Sequence, residues 1–418
     1  MSGRKPKQRL LLGALALIAG VFAFAGNGTA QADTVLYSFC NGPNCPDGES
    51  PIRDLLKAGT TTLYGTANYG GQYNGGTVFS ITTGGVYTVL HTFGSVTADG
   101  MTPISSLVKI GNRLYGTTLQ GGLYFHGAVF SVKTNGTGYT VLHSFCSQTN
   151  CSDGGGPYDG LIDVGGTLYG TTAGGGTTNP ACPQQNGGGC GTVFEILPTG
   201  AGFQVLYTFC SAGPCADGAV AYSRLIDVAG TLYGTTMQGG AFGSGTVYSL
   251  VPCGTPPCAE SVMYSFGTNT PDGQNPFASV TYKTVGTTGY LYGTTTQGGA
   301  SGNGAVFAVV LCGSPPCARQ WLYSFGGAPD GVSPYGDLLD WGSYLYGSTA
   351  GGGTFGQGAV FRIRANGLAN ETLVNSFANS PDGAGPTAGL ARIGNELYGD
   401  TQVGGSGGCP CGTVFSIP

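Results

Sequence analysis

The stretch Leu114, Tyr115, Gly116, Thr117, Thr118, followed after a glycine-rich loop by Gly127, Ala128, Val129, Phe130, constrains this chain more than any other feature because it recurs. Its seven copies begin at Leu63, Leu114, Leu168, Leu232, Leu291, Leu345 and Leu397, a spacing of about 50–65 residues that marks a repeat architecture. After each copy a Gly-Gly loop leads to a third run of strand character, at residues 76–81, 127–132, 191–196, 245–250, 304–309, 358–363 and 412–417. A fourth run ends on Phe39, Phe93, Phe145, Phe209, Phe266, Phe325 or Phe377, and each is followed by an Asp-Gly pair. A short apolar run, usually behind a proline, then turns tightly back into Leu-Tyr-Gly, which is hairpin chemistry.

Four strands per repeat and seven repeats predict an all-β fold, a seven-bladed β-propeller of four-stranded blades. The repeats are out of phase with the chain: residues 34–39 are a fourth-type strand, and the last run, 412–417, is a third-type strand. The N-terminal strand is therefore expected to pair with the C-terminal blade and close the ring, leaving no exposed sheet edge. A solenoid would need capping repeats, and none is present. The 81 glycines fit this reading, because a chain with 11% aromatic residues can bury apolar surface that a glycine-rich linker cannot.

Arg4, Lys5, Lys7 and Arg9 precede an apolar run over residues 10–25, and Ala30, Gln31, Ala32 fits a small-residue cleavage site. Residues 1–32 are expected to be a secretory signal peptide, leaving residues 33–418 as a single seven-repeat propeller domain. The apolar run is shorter than the roughly 20 residues a membrane span needs, so no span is expected after cleavage. Losing the four basic residues leaves 11 basic against 20 acidic, a net charge of −9, thinly spread. That balance disfavours nucleic acid as a partner.

Fourteen cysteines support export to an oxidising compartment, secreted or within the periplasm and cell envelope. Five pairs share one spacing: Cys40 and Cys45, Cys146 and Cys151, Cys210 and Cys215, Cys253 and Cys258, Cys312 and Cys317. Cys182 with Cys190 makes a sixth local pair. Zinc is the competing reading, but with three histidines and the pairs in different repeats, local disulfides are expected and no metal or cofactor is assigned. Each would contribute roughly 2 kcal/mol through the loop it closes. Cys409 and Cys411 are too close in sequence for an easy bridge.

The succession Leu-Tyr-Gly-Thr-Thr, Gly-Gly, Gly-Thr-Val-Phe, Ser-Phe and Asp-Gly resembles the bacterial tandem-repeat family called GloVer, the "choice-of-anchor" repeat proteins, over essentially all of residues 34–418. The resemblance implies an exported protein with no assigned chemistry. Many members carry a C-terminal surface-sorting segment; this sequence stops at Phe415, Ser416, Ile417, Pro418, an ending that argues against surface anchoring.

A motif present seven times answers a need of every blade, so activity is sought where the copies differ. The aspartates of the Asp-Gly pairs, Asp47, Asp99, Asp153, Asp217, Asp272, Asp330 and Asp382, are expected to cap their own turns. They lack the closely spaced oxygen ligands of a calcium loop. His91 and His143 stand where other repeats have Tyr37, Tyr207, Tyr264 and Tyr323, and His126 has no evident partner in its loop, so a Ser/His/Asp triad is unsupported. Behind each Asp-Gly lies a variable pair: Arg53 and Asp54, Ser105 and Ser106, Asp159 and Gly160, Ser223 and Arg224, Ala278 and Ser279, Gly336 and Asp337, Ala388 and Gly389. If the first strand is innermost, these pairs line the channel mouth. Arg53, Asp54, Asp159, Arg224 and Asp337 are the candidate ligand-binding residues, with solvated surface or local ion pairs as the bland alternative. Loop aromatics Tyr69, Tyr73, Tyr124, Phe125, Phe242 and Phe355 are candidates for stacking on sugar rings, or for packing across blade edges.

Three functions follow from this sequence. The first is a secreted, disulfide-stapled binding or scaffold module, a monomer that takes an extracellular polysaccharide or protein on its loop face. The second is an extracellular carbohydrate-active hydrolase or lyase using Asp54, Asp159 or Asp337, for which two carboxyls about 5–9 Å apart are required. The third is a purely structural envelope protein.

Overall fold

The computed structural model describes residues 33–182, 187–211, 213–268, 271–367, 371–406 and 411–418. The expected signal peptide, residues 1–32, and Cys409 lie outside the described residues. Seven four-stranded antiparallel sheets follow one another around a ring. Blade 1 comprises Leu56–Ala58, Thr62–Ala67, Thr77–Thr82 and Tyr87–Thr92, and blades 2 to 6 repeat the plan. Blade 7 takes its first three strands from Ala391–Ile393, Glu396–Thr401 and Thr413–Ile417, and its outer strand from Thr34–Ser38 at the other end of the chain. Thr34 pairs with Ser416 and Ser38 with Thr413, so the ring closes as expected.

At five of the seven blade junctions, including that between blades 1 and 7, the first strands contact one another, which places them around the central channel. Cores form between blades: Tyr64 and Val78 of blade 1 pack with Leu107, Leu114 and Phe130 of blade 2, and Leu63 and Phe79 pack with Tyr398 and Val414 of blade 7. In every blade the register of the third and fourth strands shifts at the residue before or at the Phe position, as between Val78 and Phe79. A bulge there increases the twist of the outer strand.

The glycine of Leu-Tyr-Gly is required by close approach. A Cβ at Gly170 would lie 2.6 Å from the Phe194 ring and 2.7 Å from Leu161, and the other six copies meet the corresponding ring in the same way. The next residue ties the blades together. The hydroxyls of Thr66, Thr117, Thr171, Thr235, Thr294 and Ser348 donate to the carbonyls of Ser105, Asp159, Ser223, Ala278, Pro334 and Ala388, each in the following blade. Blade 7 has Asp400 at this position.

The Asp-Gly aspartates act differently from the expectation. Asp272 and Asp330 do accept the amide of their own glycine, but all seven reach back to amides just after the preceding fourth strand. Asp47 accepts from Asn41 N at 3.1 and 3.0 Å, Asp217 from Cys210 N at 2.8 Å, and Asp272 from Gly267 N and Thr268 N at 2.7 Å. The strand-four aromatic joins in: Tyr37 donates to Asp47 at 2.6 Å and His143 Nε2 lies 3.2 Å from Asp153. This closes the loop on which the lead-in to the next blade depends.

Among the described residues six disulfides are formed, Cys40–Cys45, Cys146–Cys151, Cys182–Cys190, Cys210–Cys215, Cys253–Cys258 and Cys312–Cys317, consistent with an oxidising extracellular environment. They fall into classes that a shared spacing conceals. Cys40–Cys45, Cys146–Cys151 and Cys210–Cys215 staple loops between blades, whereas Cys253–Cys258 and Cys312–Cys317 staple outer hairpins whose Cys258 and Cys317 amides bond Leu206 and Met263 of the neighbouring blade. Cys411 is also disulfide-bonded, and its Sγ lies 3.9 Å from that of Cys45. His126 sits beside the Cys146–Cys151 pair. Among the described residues no helix is long and apolar enough to cross a membrane.

Two outcomes test this account. A chain lacking residues 33–40 should melt at least about 5 °C below the intact one, because blade 7 loses its outer strand; equal melting in a thermal scan would contradict ring closure. Gly170→Ala should cost about 1–3 kcal/mol in chemical denaturation, the usual range for overpacking.

Candidate functional site

The loops joining second to third strands and those joining one blade to the next share a face. Short pairings bind them to each other: Glu49 with Tyr69, Gly100 with Gly121, Gly155 with Gly174, Ala219 with Gln238, Gly273 with Gly298, Gly331 with Gly352 and Ala384 with Val403. The segments carrying the variable pairs descend from this face into the channel and run into the first strands. Arg53, Asp54, Asp159, Arg224 and Asp337, which come from four different blades, meet there.

Arg53 is 6% exposed. Its Nε donates to Ile104 O at 2.9 Å, its Nη2 donates to Tyr158 O at 3.1 Å, and its Nη1 lies 3.6 Å from Asp159 Oδ2. Asp159 accepts from the amides of Ser106 at 3.3 Å, Gly160 at 2.6 Å and Arg224 at 3.3 Å. The Arg224 side chain crosses to Asp337 at 3.0 Å and Asp54 at 3.6 Å. Asp337 accepts from Ser279 N at 2.7 Å and Asp54 from Gly389 N at 2.6 Å. The five charged side chains thus engage the lead-in segments of all seven blades and form a plug.

The charges are unequal. Burial and the neighbouring charge of Asp337 push Asp54 up to about 7, against the opposing pull of Arg224 and the Gly389 amide. Burial alone would loosen the proton of Arg224, but Asp337, Asp54 and Asp159 outweigh it and hold the guanidinium charged. Behind them Asp400 is 1% exposed, and neither carboxyl oxygen has a hydrogen-bond partner. Burial, reinforced by Asp54 and only partly offset by Arg53, keeps it protonated far above the usual carboxylate range.

Above the plug, on the loop face, lies a vestibule of about 220 Å3 bounded by Ile52, Arg53, Tyr158, Phe277, Tyr335 and Thr387, together with Ala350 and Gln402. Its aromatic lining, Tyr158, Phe277 and Tyr335, belongs to a continuous arc that Tyr222, outside the lining, completes. Tyr158 and Tyr222 are 4.2 Å apart, Tyr222 and Phe277 5.3 Å, and Phe277 and Tyr335 5.1 Å between ring centres. The guanidinium of Arg53 lies 5.1 Å from the centres of both Tyr158 and Phe277, a cation–π arrangement that holds the floor against the wall. The arc occupies blades 3 to 6 only; Ile52, Ile104 and Thr387 take the corresponding positions in blades 1, 2 and 7. Tyr69, Tyr73, Tyr124, Phe125, Phe242 and Phe355 stand exposed on the surrounding loops rather than in the vestibule.

Residues 19–227 and 180–415 match the Gloeobacter/Verrucomicrobia repeat. The chain belongs to that family. No curated protein matches the sequence. Among solved structures, an ancestral GH74 enzyme is similar with a TM-score of 0.55 at 11% identity, over 92% of this chain and 51% of its own. A puromycin-hydrolysing peptidase of Mycobacterium tuberculosis has a TM-score of 0.48 at 12% identity, over 90% of this chain and 52% of its own. A nidogen/laminin complex has a TM-score of 0.43 at 12% identity, covering 76% and 94%. This chain spans about half the length of the two enzymes, and at such identities the likeness is one of fold.

Within this Gloeobacter/Verrucomicrobia repeat protein, the vestibule arc escaped sequence reasoning by a single position. Tyr158, Tyr222, Phe277 and Tyr335 immediately precede the variable pairs, and an apolar residue behind a proline, or behind Ala221 in the case of Tyr222, reads as core. The signal was the change of type along the seven copies, from Ile to Tyr and Phe and then to Thr. Asp400 was signalled likewise, as the one acid in a column of hydroxyls.

Asp400→Thr restores the hydroxyl present in the other six blades and should stabilise the protein by about 1–3 kcal/mol near neutral pH. Because the native pKa of Asp400 is raised, its contribution to stability is present in acid and is lost as pH rises from about 4. The gain of the variant, read from denaturation midpoints, should therefore widen between about pH 5 and pH 8.

Proposed function

We propose that this protein is a secreted binding module whose loop face takes an extracellular polysaccharide, anchored in the vestibule at the channel mouth. The observation that carries this reading is the arc of Tyr158, Tyr222, Phe277 and Tyr335, confined to four consecutive blades of a scaffold that has no structural need for it. Half-buried aromatic faces with a fixed cation beneath them and Thr387 and Gln402 at the side offer stacking to sugar rings and hydrogen bonds to hydroxyls. The exposed Tyr69, Tyr73, Tyr124, Phe125, Phe242 and Phe355 extend that surface outward for a chain longer than the vestibule. Six disulfides suit a scaffold that works outside the cell.

The plug supports binding over hydrolysis. None of Asp54, Asp159 and Asp337 lines the vestibule: Asp54 and Asp337 border the cavity beyond the plug, and Asp159 is held by three backbone amides and Arg53. A glycosidase pair instead needs one carboxyl free to donate and another free to attack or activate water across the scissile bond.

A glycan array probed with the wild type and with Phe277→Ala tests the proposal. Binding of at least one polysaccharide class, weakened about tenfold or more in Phe277→Ala at an unchanged melting temperature, is the expected result. Equal binding by the two proteins would remove the vestibule from the site. No signal on any glycan would transfer the loop face to a protein partner.

A further inference from the structure

The channel has a second chamber. A cavity of about 300 Å3 lies against Asp54, Arg224 and Asp337, walled by Ile226, Val280, Leu338, Leu339 and Leu390. Along the chain these wall residues follow the plug, whereas those of the vestibule precede or belong to it or, as Ala350 and Gln402, lie where second strands emerge on the loop face. The two cavities therefore lie on opposite sides of the plug, and this one opens towards the face away from the loops.

Its lining holds three carboxyl groups, those of Asp54, Asp227 and Asp337, against the single guanidinium of Arg224. Arg224 is closer to Asp337, at 3.0 Å, than to Asp54, at 3.6 Å, so Asp337 takes most of its charge. Asp54 keeps one oxygen on the Gly389 amide and has no nearer counter-ion for the other. Arg53 is occupied by Asp159 and two carbonyls, and Asp400 adds a further carboxyl behind the plug. A cation arriving from the lower face would supply what Asp54 lacks, and the apolar wall would cover a small hydrocarbon body.

We propose that this lower chamber binds a small organic ammonium ion, its headgroup on Asp54 beside Asp337 and its apolar body against Leu338, Leu339 and Leu390. The site is independent of the glycan reading, since the plug separates the two. Burial, with Asp337 and Asp159 adding to it and Arg224 and the Gly389 amide opposing, pushes Asp54 up to about 7; Asp400 lies behind it and Asp227 is in the same lining. Binding of a cation favours the ionised carboxylate, so affinity rises with pH through that range.

The probe is benzylammonium, with benzyl alcohol as its uncharged counterpart, titrated into the full propeller by calorimetry at about pH 8 and about pH 5.5, on either side of the Asp54 transition. Benzylammonium should bind at the higher pH, about tenfold or more weakly at the lower, and the alcohol should not bind. Asp54→Asn keeps an acceptor for the Gly389 amide and should lose about tenfold or more of the affinity. Leu339→Trp, which fills the chamber while leaving every charged residue of the plug in place, should abolish benzylammonium binding while leaving binding at the vestibule unchanged. The inference is overturned if benzylammonium gives no binding heat, if the alcohol binds equally well, or if neither variant weakens the amine.

Discussion

Six of the seven blades pass a hydroxyl to the next. The side chain after the glycine of Leu-Tyr-Gly donates to a carbonyl on the lead-in segment of the following blade, and the glycine lets the Phe of the third strand close over it. The two interactions fix the lead-in segments, and the lead-in segments form the wall of the channel. Everything of functional interest hangs on those segments. A blade that lost its hydroxyl would leave a buried carbonyl unpaired, and the variable pair behind it would lose its register.

The same geometry accounts for the charges at the hub. The amides of the second member of the variable pair, those of Ser106, Gly160, Arg224, Ser279 and Gly389, are accepted by side chains in the channel and not by a sheet ladder. Five convergent N–H dipoles create a positive potential at the axis, which three aspartates neutralise, and two arginines then offset the aspartates while Arg53 caps two carbonyls. In that light Asp159 is held by the backbone of three blades, and Asp54 and Asp337 by one amide each. The less tightly held pair faces the lower chamber, and there burial and the neighbouring charge of Asp337 push Asp54 up to about 7.

Much of this was legible in the sequence, for definable reasons. A repeat is a local signal seven times over, so the strands, the hairpins and the closure by residues 34–38 could be read from short windows. Aligning the copies located Arg53, Asp54, Asp159, Arg224 and Asp337 as residues no blade requires. Their partnership could not be read, because Arg224 and Asp337 are 113 positions apart and meet only across the closed ring. The backward reach of the Asp-Gly aspartates was missed because turn chemistry considers only immediate neighbours, whereas the amides they accept lie four to seven residues earlier in the loop. Likewise the six five-residue and eight-residue cysteine loops were predictable as pairs, but which face each one staples depends on the strand it follows.

A plug that binds every blade also divides the channel. A solute on the loop face meets Arg53 with its guanidinium already shared between Asp159, two carbonyls and two aromatic rings, and so finds a polarised but saturated floor. A solute on the other face meets an incompletely balanced carboxyl between apolar walls. Opening a path between them would break ion pairs in a partly dry environment, at a cost of several kcal/mol before any bound group compensated it. The hub therefore acts as a partition with two chemically distinct faces. Aromatic faces and neutral hydrogen-bonding groups dominate one and charge the other, so the chemistry of each face is set by the few residues that break the seven-fold symmetry of the scaffold.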